Sequence, residues 1–324
     1  MRAIRVHQTG GPEALKHEEV EAPPPPGKGE VRLRQHAIGI NFIDVYQRTG
    51  FYPPASLPFT PGGEGAGEVV EVGPSVEGFK PGDRVAYAGS NGAYAEERNI
   101  DAKFLFKLPR AISYETGAAM MLKGLTAQYL LRQTYRVQEG DTILVHAAAG
   151  GVGLILCQWG KALGATVIGT VGSPEKAKLA KKAGAKHTIL YREEDFAKRV
   201  SEITKGGKCH AVYDGVGKAT FPASLDCLKP FGMFVSFGSA SGAIEAFNIG
   251  LLAQKGSLIA TRPTLATFIA DRARHEKMAR DLFRAVGSGE VTIRIGRRYP
   301  LAEAGEAHAA LEKRETTGSL ILMP

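Results

Sequence analysis

Cysteine is scarce in this chain. Only three occur in 324 residues, Cys157, Cys209 and Cys227. No two stand at metal-ligand spacing, and one is left over from any pairing. Neither a disulfide framework nor a cysteine-built metal site is available, which points to a reducing cytoplasm. No apolar run is long enough to span a bilayer. The opening MRAIRVHQTGGPEAL lacks the basic start, apolar centre and small-residue cleavage site of a secretory signal. No internal repeat stands out. Charge of one sign is not concentrated either. Lys and Arg exceed Asp and Glu by 41 to 33, a net +8 that would help attract an anionic ligand. The basic residues are interleaved with acids, as in DRARHEKMARDLFR (271–284). A solvated helix face explains that pattern better than a nucleic-acid surface, and no aromatic-interleaved basic stripe or RNA motif is present.

What is there begins with length: 324 residues exceed a typical single core and suit two domains. The middle of the chain alternates. TILVHA (142–147) reads as a buried strand, and Val152, Ile155, Leu156, Trp159 and Leu163 recur at helical spacing after it. ATVIGTV (165–171) is a second strand. Ser173 is a candidate N-cap for the helix that follows, with Pro174 at the first helical position and Gly184 as its stop. HTILY, HAVYDGVG and MFVSFG read as further strands; EEDFAKRVSEITKG and ATFPASLDCLKP read as helices between them. This alternation predicts an α/β fold, a doubly wound parallel sheet of the Rossmann kind, over residues 124–262. The first 123 residues read instead as β-rich, with short strands broken by Gly and Pro. Residues 263–324 offer helices over 266–286 and 302–314 and end in SLILMP, whose strand is expected to return to the first domain. Residues 1–123 and 263–324 would then form one discontinuous domain.

Ala148–Gly153, AAGGVG, follows a predicted strand and opens a predicted helix. Gly150, Gly151, Val152 and Gly153 there can bring backbone N–H groups up to a pyrophosphate at a helix N-terminus. An NAD site ends its second strand on a carboxylate that binds the ribose hydroxyls. Here Thr170, Val171, Gly172 and Ser173 occupy that place, with Lys176 three residues on. An Asp about 4 Å from a 2′-phosphate would cost on the order of 4 kcal/mol at an effective dielectric of about 20. Lys176 reverses the sign, adding on the order of 1.5–3 kcal/mol. Gly172 and Ser173 offer backbone N–H groups and a hydroxyl. NADPH is therefore expected in preference to NADH.

With NFIDVYQRTGFYP (41–53), PGGEGAGEVVEVG (61–73), PGDRVAY (81–87), KGLTAQYLL (123–131), HAAAGGVGLILCQWGKALGA (146–165), VGSPEK (171–176), YDGVG (213–217) and TRP (261–263), the chain resembles the zinc-free quinone oxidoreductases of zeta-crystallin type, within the medium-chain dehydrogenase/reductase superfamily. The resemblance runs along nearly the whole chain. It implies a GroES-like catalytic domain beside the Rossmann domain. Zinc-dependent members carry three metal ligands; the matching places hold Asn41, Gly63 and Lys123. None of these is a good zinc ligand in that setting, and the four-cysteine structural lobe is missing. Alcohol oxidation through a zinc-bound alkoxide is not expected. An acceptor that is already electrophilic suits such a site, and the family implies NADPH-dependent reduction of quinones.

The same resemblance implies site residues. Asn41 could donate a hydrogen bond to an acceptor carbonyl or on the nicotinamide side. Tyr46 and Tyr52 could hold a flat acceptor or supply a proton, though ordinary loop packing would explain them as well. Asp44 and Glu64 read as orienting or structural groups, with Asp44 also counted among the cofactor contacts. Thr126 and Tyr129 are expected at the nicotinamide half, Tyr191 near the adenosine ribose with Lys176, and Val216 and Phe237 along the crevice. Arg262 and Arg314 are candidates for the nicotinamide or phosphate side. His146, Cys157 and Asp214 read as a packed histidine, a core thiol and a strand-end cap. A homodimer is implied through apolar segments in GMFVSFGSASGAIEAFNIGLLAQKGSLIATR (232–262). Two other functions stay open: reduction of 2-alkenals or enones, and RNA binding on a dinucleotide fold.

Overall fold

The computed structural model describes residues 1–324. The chain divides into two compact units: Met1–Leu125 with Arg272–Phe283 and Ile293–Pro324, and Thr126–Asp271 with Arg284–Thr292. The second unit thus reaches Asp271, beyond the expected boundary at 262, and takes in 284–292 as well.

The first unit opens with a small antiparallel pair, β1 (Arg2–Arg5) and β2 (Lys16–Glu19). The long strand β3 (Glu30–Ile40) follows, then the short helix α1 (Phe42–Thr49), β4 (Glu64–Val72), β5 (Arg84–Ala88), β6 (Glu97–Asp101), β7 (Leu105–Lys107) and helix α2 (Tyr114–Tyr129). Strand β3 alternates buried Val31, Leu33 and Gln35 with more open neighbours, then stays buried from Ala37 to Ile40. That change follows its partners: β4 lies along one side of it, while β6 pairs with its first half. Ile4, Val31, Leu33, Ile38, Val69 and Val85 meet in the core of this sheet. Each such side chain contributes roughly 1.5–3 kcal/mol on burial.

The second unit is a parallel sheet. Strand β8 (Thr142–Val145) leads through α3 (Gly151–Ala162) to β9 (Thr166–Val171), through α4 (Pro174–Lys182) to β10 (His187–Leu190), and through α5 (Phe196–Ile203) to β11 (Cys209–Asp214). A four-residue α6 (Ala223–Asp226) precedes β12 (Leu228–Ser236), and α7 (Gly250–Gln254) precedes β13 (Ile259–Thr261). The strand order β10-β9-β8-β11-β12-β13 is that of a doubly wound dinucleotide-binding sheet, as predicted. Two helices differ from the sequence reading. In α3 the expected Ile155, Leu156 and Trp159 are buried, but so are Gly153, Leu154 and Cys157, so the buried face is broader than one stripe, with Lys161 and Ala162 left exposed at its end. The helix expected over ATFPASLDCLKP shrinks to Ala223–Asp226, because Pro222 cannot sit inside a helix.

Helix α8 (Leu265–Ile269) is separate from α9 (Arg272–Gly287), so the single helix expected over 266–286 is broken. Asp271, a residue type favoured ahead of a helix, stands at the break. The chain ends with β14 (Ile295–Pro300), α10 (Ala304–Glu312) and β15 (Ser319–Met323). Strand β15 pairs antiparallel with β3, Leu320 opposite Ile40, so the last strand does join the first unit's sheet. No helix is long and apolar enough to cross a membrane.

Candidate active site

In the parallel-sheet unit the strand order reverses between β8 and β11, and ligands of such sheets bind outside the strand ends at that point. The AAGGVG turn lies there. Gly150 is the N-cap of α3, and Gly151, Val152 and Gly153 form its first turn, whose N–H groups have no intrahelical acceptor. Ala147 takes a left-handed φ of 52°, and its carbonyl accepts from the Gly150 N–H at 2.9 Å. A Cβ at position 153 would stand 2.3 Å from that carbonyl oxygen, so only glycine lets the helix start so close to the strand.

At the end of β9 the backbone passes through Gly172 to Ser173, the N-cap of α4. The Ser173 hydroxyl accepts from the Lys176 N–H at 3.3 Å. It also bonds the exposed Glu175 carboxylate, which its own backbone N–H and this hydroxyl hold below the usual carboxylate value. Ser173 is thus more engaged than the sequence suggested, and an acid shares the turn with half-buried Lys176. Tyr191 follows β10, and its N–H donates to the Val171 carbonyl at 3.2 Å. A Cβ on Gly172 would lie 3.0 Å from the Tyr191 hydroxyl and 3.4 Å from Arg192 Nε. Gly172 and Tyr191 are therefore brought together. Arg192 is a cation the sequence reading missed; its only signal was its place just past the third strand.

Further along the strand ends, Asp214 Oδ1 accepts from the Val216 and Gly217 N–H groups at 2.7 and 3.0 Å. It is the strand-end cap predicted. A Cβ on Gly215 would lie 3.0 Å from the Phe237 ring, so Phe237 packs against the backbone just before Val216. Thr126, Tyr129 and Arg262 also gather. Tyr129 stacks on Phe268 with centroids 4.3 Å apart. Burial pushes its hydroxyl up to about 12, while the Arg262 charge and a hydrogen bond with Thr126 pull the other way.

The remaining candidates belong to the first unit. Asn41 precedes α1, and its N–H donates to Asp44 Oδ2 at 2.8 Å. Its Nδ2 donates to Glu64 Oε2 at 2.8 Å, and Lys123 Nζ donates to the same oxygen at 3.0 Å. Glu64 Oε1 accepts the Leu122 N–H at 2.8 Å. Two of the three positions matched to superfamily zinc ligands thus converge on one buried carboxylate. The third, Gly63, has no ligand atom in its side chain. A Cβ on Gly39 would sit 2.2 Å from Glu64 Oε2, so glycine there makes room for the cluster. No group of three or more His, Cys, Asp or Glu side chains is placed to hold a metal ion.

Asp44 is fully buried. Burial pushes its carboxyl up to about 7, against the bonds from Asn41 and Tyr94 and the Lys123 charge. The Tyr94 hydroxyl donates to Asp44 Oδ2 at 3.1 Å and lies 2.9 Å from His308 Nε2. Burial and then Arg48 lower the His308 pKa to about 3. Tyr94 and His308, which the sequence reading passed over, thus belong to the same cluster. Tyr46 and Tyr52 meet edge to face at 5.2 Å and, with Phe51, form an aromatic ledge. Phe51 and Tyr52 on it are exposed by 44% and 38%, ample for contact with a flat molecule. Arg314 follows α10 in a left-handed conformation, φ 58°, and is exposed.

Known proteins agree with this geometry. Residues 27–110 match the family model described as alcohol dehydrogenase GroES-like domain, and 151–280 that described as zinc-binding dehydrogenase. The chain is 54% identical over 324 residues to a quinone oxidoreductase of Pseudomonas aeruginosa, covering 100% of this chain and 99% of that one. It is 44% identical to a 2-haloacrylate reductase of Burkholderia sp., covering 99% and 98%. The crystal structure of Escherichia coli quinone oxidoreductase complexed with NADPH superposes with a TM-score of 0.98 at 50% identity, covering 100% of both chains. With the strand order, the glycine turn and the whole-chain identity in agreement, this chain belongs to the quinone oxidoreductase family of the medium-chain dehydrogenase/reductase superfamily.

Proposed function

We propose that the protein reduces quinones with NADPH and without a metal ion. The observation that carries the reading is the end of β9: Gly172 and Ser173 stand where an acid would bind an NAD ribose, with Lys176 and Tyr191 beside them. When bound, NADPH supplies a hydride from its nicotinamide. Gly150, Gly151, Val152 and Gly153 hold the pyrophosphate by backbone N–H groups. Gly172, Ser173, Lys176 and Tyr191 hold the 2′-phosphate and adenosine ribose. Thr126, Tyr129, Val216, Phe237 and Arg262 line the nicotinamide half, and Arg314 serves the phosphate side. Asn41 donates an N–H as charge grows on the acceptor oxygen. Asp44, already committed to the Asn41 N–H, assists cofactor binding by holding that residue in place. Tyr46 and Tyr52 hold the flat acceptor, and a phenol among them can deliver a proton.

In this reading the unit of Met1–Leu125, Arg272–Phe283 and Ile293–Pro324 is the catalytic domain, and the unit of Thr126–Asp271 and Arg284–Thr292 binds the cofactor. The free, buried cysteines suit a cytoplasmic protein. Ile259 on the edge strand β13, Phe231 on the neighbouring β12 and Ile249 just before α7 are exposed by 49%, 75% and 76%, which supports a homodimer through that edge. Light scattering returning a monomer mass would argue against it. The likeness to 2-haloacrylate reductase favours a second reading, reduction of a conjugated alkene.

The deciding assay follows NADPH absorbance with metal-stripped protein, an ortho-quinone or an α,β-unsaturated aldehyde, repeated with NADH. Fast NADPH loss with quinone alone is the expected result. Turnover of the aldehyde alone moves the assignment to the second reading. Lys176→Ala should raise the NADPH KM about 10- to 100-fold and leave NADH little changed. Equal use of both cofactors by the unaltered protein would overturn the assignment at β9.

A further inference from the structure

A buried hydrogen-bond chain runs beneath the strand ends of the parallel sheet. Thr170 on β9, His146 after β8, Ser224 on α6 and Asp214 on β11 are all buried. His146 Nδ1 lies 2.9 Å from the Thr170 hydroxyl, and Nε2 lies 3.0 Å from the Ser224 hydroxyl. Ser224 donates to Asp214 Oδ2 at 3.1 Å, and Thr220 donates to the same oxygen at 2.6 Å. Burial holds the ring neutral, lowering its pKa against the pull of Asp214. One proton arrangement then satisfies the chain: the Thr170 O–H donates to Nδ1, Nε2–H donates to Ser224, and the Ser224 O–H donates to Asp214. Thr170 is tied a second way, since its carbonyl accepts from the Ala148 N–H at 3.0 Å.

The residue is therefore held by its hydroxyl and its carbonyl, two positions before Gly172. We infer that Thr170 is a positioning residue for cofactor discrimination: its bond to His146 sets the end of β9, and so aims Gly172, Ser173 and Lys176 at the 2′-phosphate. This rests on the NADPH reading above. Beyond Ser224 the chain ends on the Asp214 carboxylate, whose Oδ1 accepts from the Val216 and Gly217 N–H groups, so the Thr170 hydroxyl is the chain's contact with the end of β9. Loss of that hydroxyl leaves the Ala148 N–H bond to the Thr170 carbonyl in place, so its effect should fall on the 2′-phosphate contacts and spare the pyrophosphate cradle that both cofactors share.

The test measures NADPH and NADH binding by fluorescence titration for wild type, Thr170→Val, Thr170→Ser and Lys176→Ala. Thr170→Val keeps the shape and removes the hydroxyl. The expected result is a five- to tenfold rise in the NADPH Kd, an NADH Kd within about twofold, and recovery in Thr170→Ser, in line with the loss of one neutral hydrogen bond. Equal weakening of both cofactors, or none, overturns the inference. If wild type and Lys176→Ala bind both cofactors alike, the NADPH reading fails instead. Should Thr170→Val not fold, wild type still decides. By reciprocity, 2′,5′-ADP should shift the ring ¹⁵N resonances of His146, and 5′-AMP should not. No shift with 2′,5′-ADP, or the same shift with both, overturns the inference.

Discussion

Each unit buries a polar cluster, and the two are built differently. The first unit's cluster is charged. Glu64, Lys123, Asp44 and Arg48 lie within it, and Asp44 Oδ1, Arg48 Nη1 and His308 Nδ1 are buried without a hydrogen-bond partner. The second unit's cluster runs through neutral His146, and its side chains close on one another. A fully satisfied network rigidifies its surroundings; one with buried groups left unpaired depends on its counter-charges and its protons. The contrast separates two tasks: the satisfied chain fixes backbone geometry, and the cluster with vacancies holds the polar side chain Asn41 in a set orientation.

Breaking the charge balance should have the largest effect. Lys123→Met leaves the Glu64 carboxylate buried without its ammonium partner. It should destabilise by about 3–5 kcal/mol in urea unfolding, and the double variant Glu64→Gln, Lys123→Met should recover most of that loss. Additive losses in the double variant would mean that the pair is not coupled.

Protons come next. The Asp44 carboxyl is raised from 3.8 to about 7, so between those values the folded chain keeps a proton that the unfolded chain has lost. This contribution to stability falls as pH rises through the window. His308 is lowered from 6.5 to about 3, so there the unfolded chain holds the extra proton, and stability falls as pH drops. The two slopes oppose each other and nearly cancel between about pH 4 and 6.5. Asp44→Asn should unmask the His308 slope, with stability rising by about 1.4 kcal/mol per pH unit across that window. His308→Gln should unmask the reverse slope. Thermal melts at several pH values read both signs, and a flat profile in either variant would break the pairing.

The smallest change is expected in the satisfied chain. Ser224→Ala leaves the His146 Nε2–H and one Asp214 contact unpaired. It should cost about 1–3 kcal/mol. No new pH slope should appear between about pH 6 and 8, because His146 is already neutral. A slope there would show that this cluster too gains or loses a proton.

The glycine turn, the strand–helix alternation and the missing acid at Gly172–Ser173 were legible because each is a local rule of backbone and charge. His146, Asp214 and Cys157 were also read for what they are. Cys157 lies in the core, its thiol pushed up to about 12 by burial. Arg192, Tyr94 and His308 were not legible. Tyr94 and His308 lie 214 residues apart in sequence, and no spacing rule connects them. The single helix expected over 266–286 failed because periodicity continues across a break that Asp271 allows.

Most short-range order therefore came from the sequence alone: most of the strands and helices, where the glycine turn lies, and which cofactor the missing acid favours. Tertiary structure decided how charges separated by tens of residues balance in a dry interior. Asn41, Glu64 and Lys123 are ordinary polar residues when read along the chain. Only when folding brings them within 3.0 Å does burial strengthen their attraction and hold the Asn41 amide in one orientation.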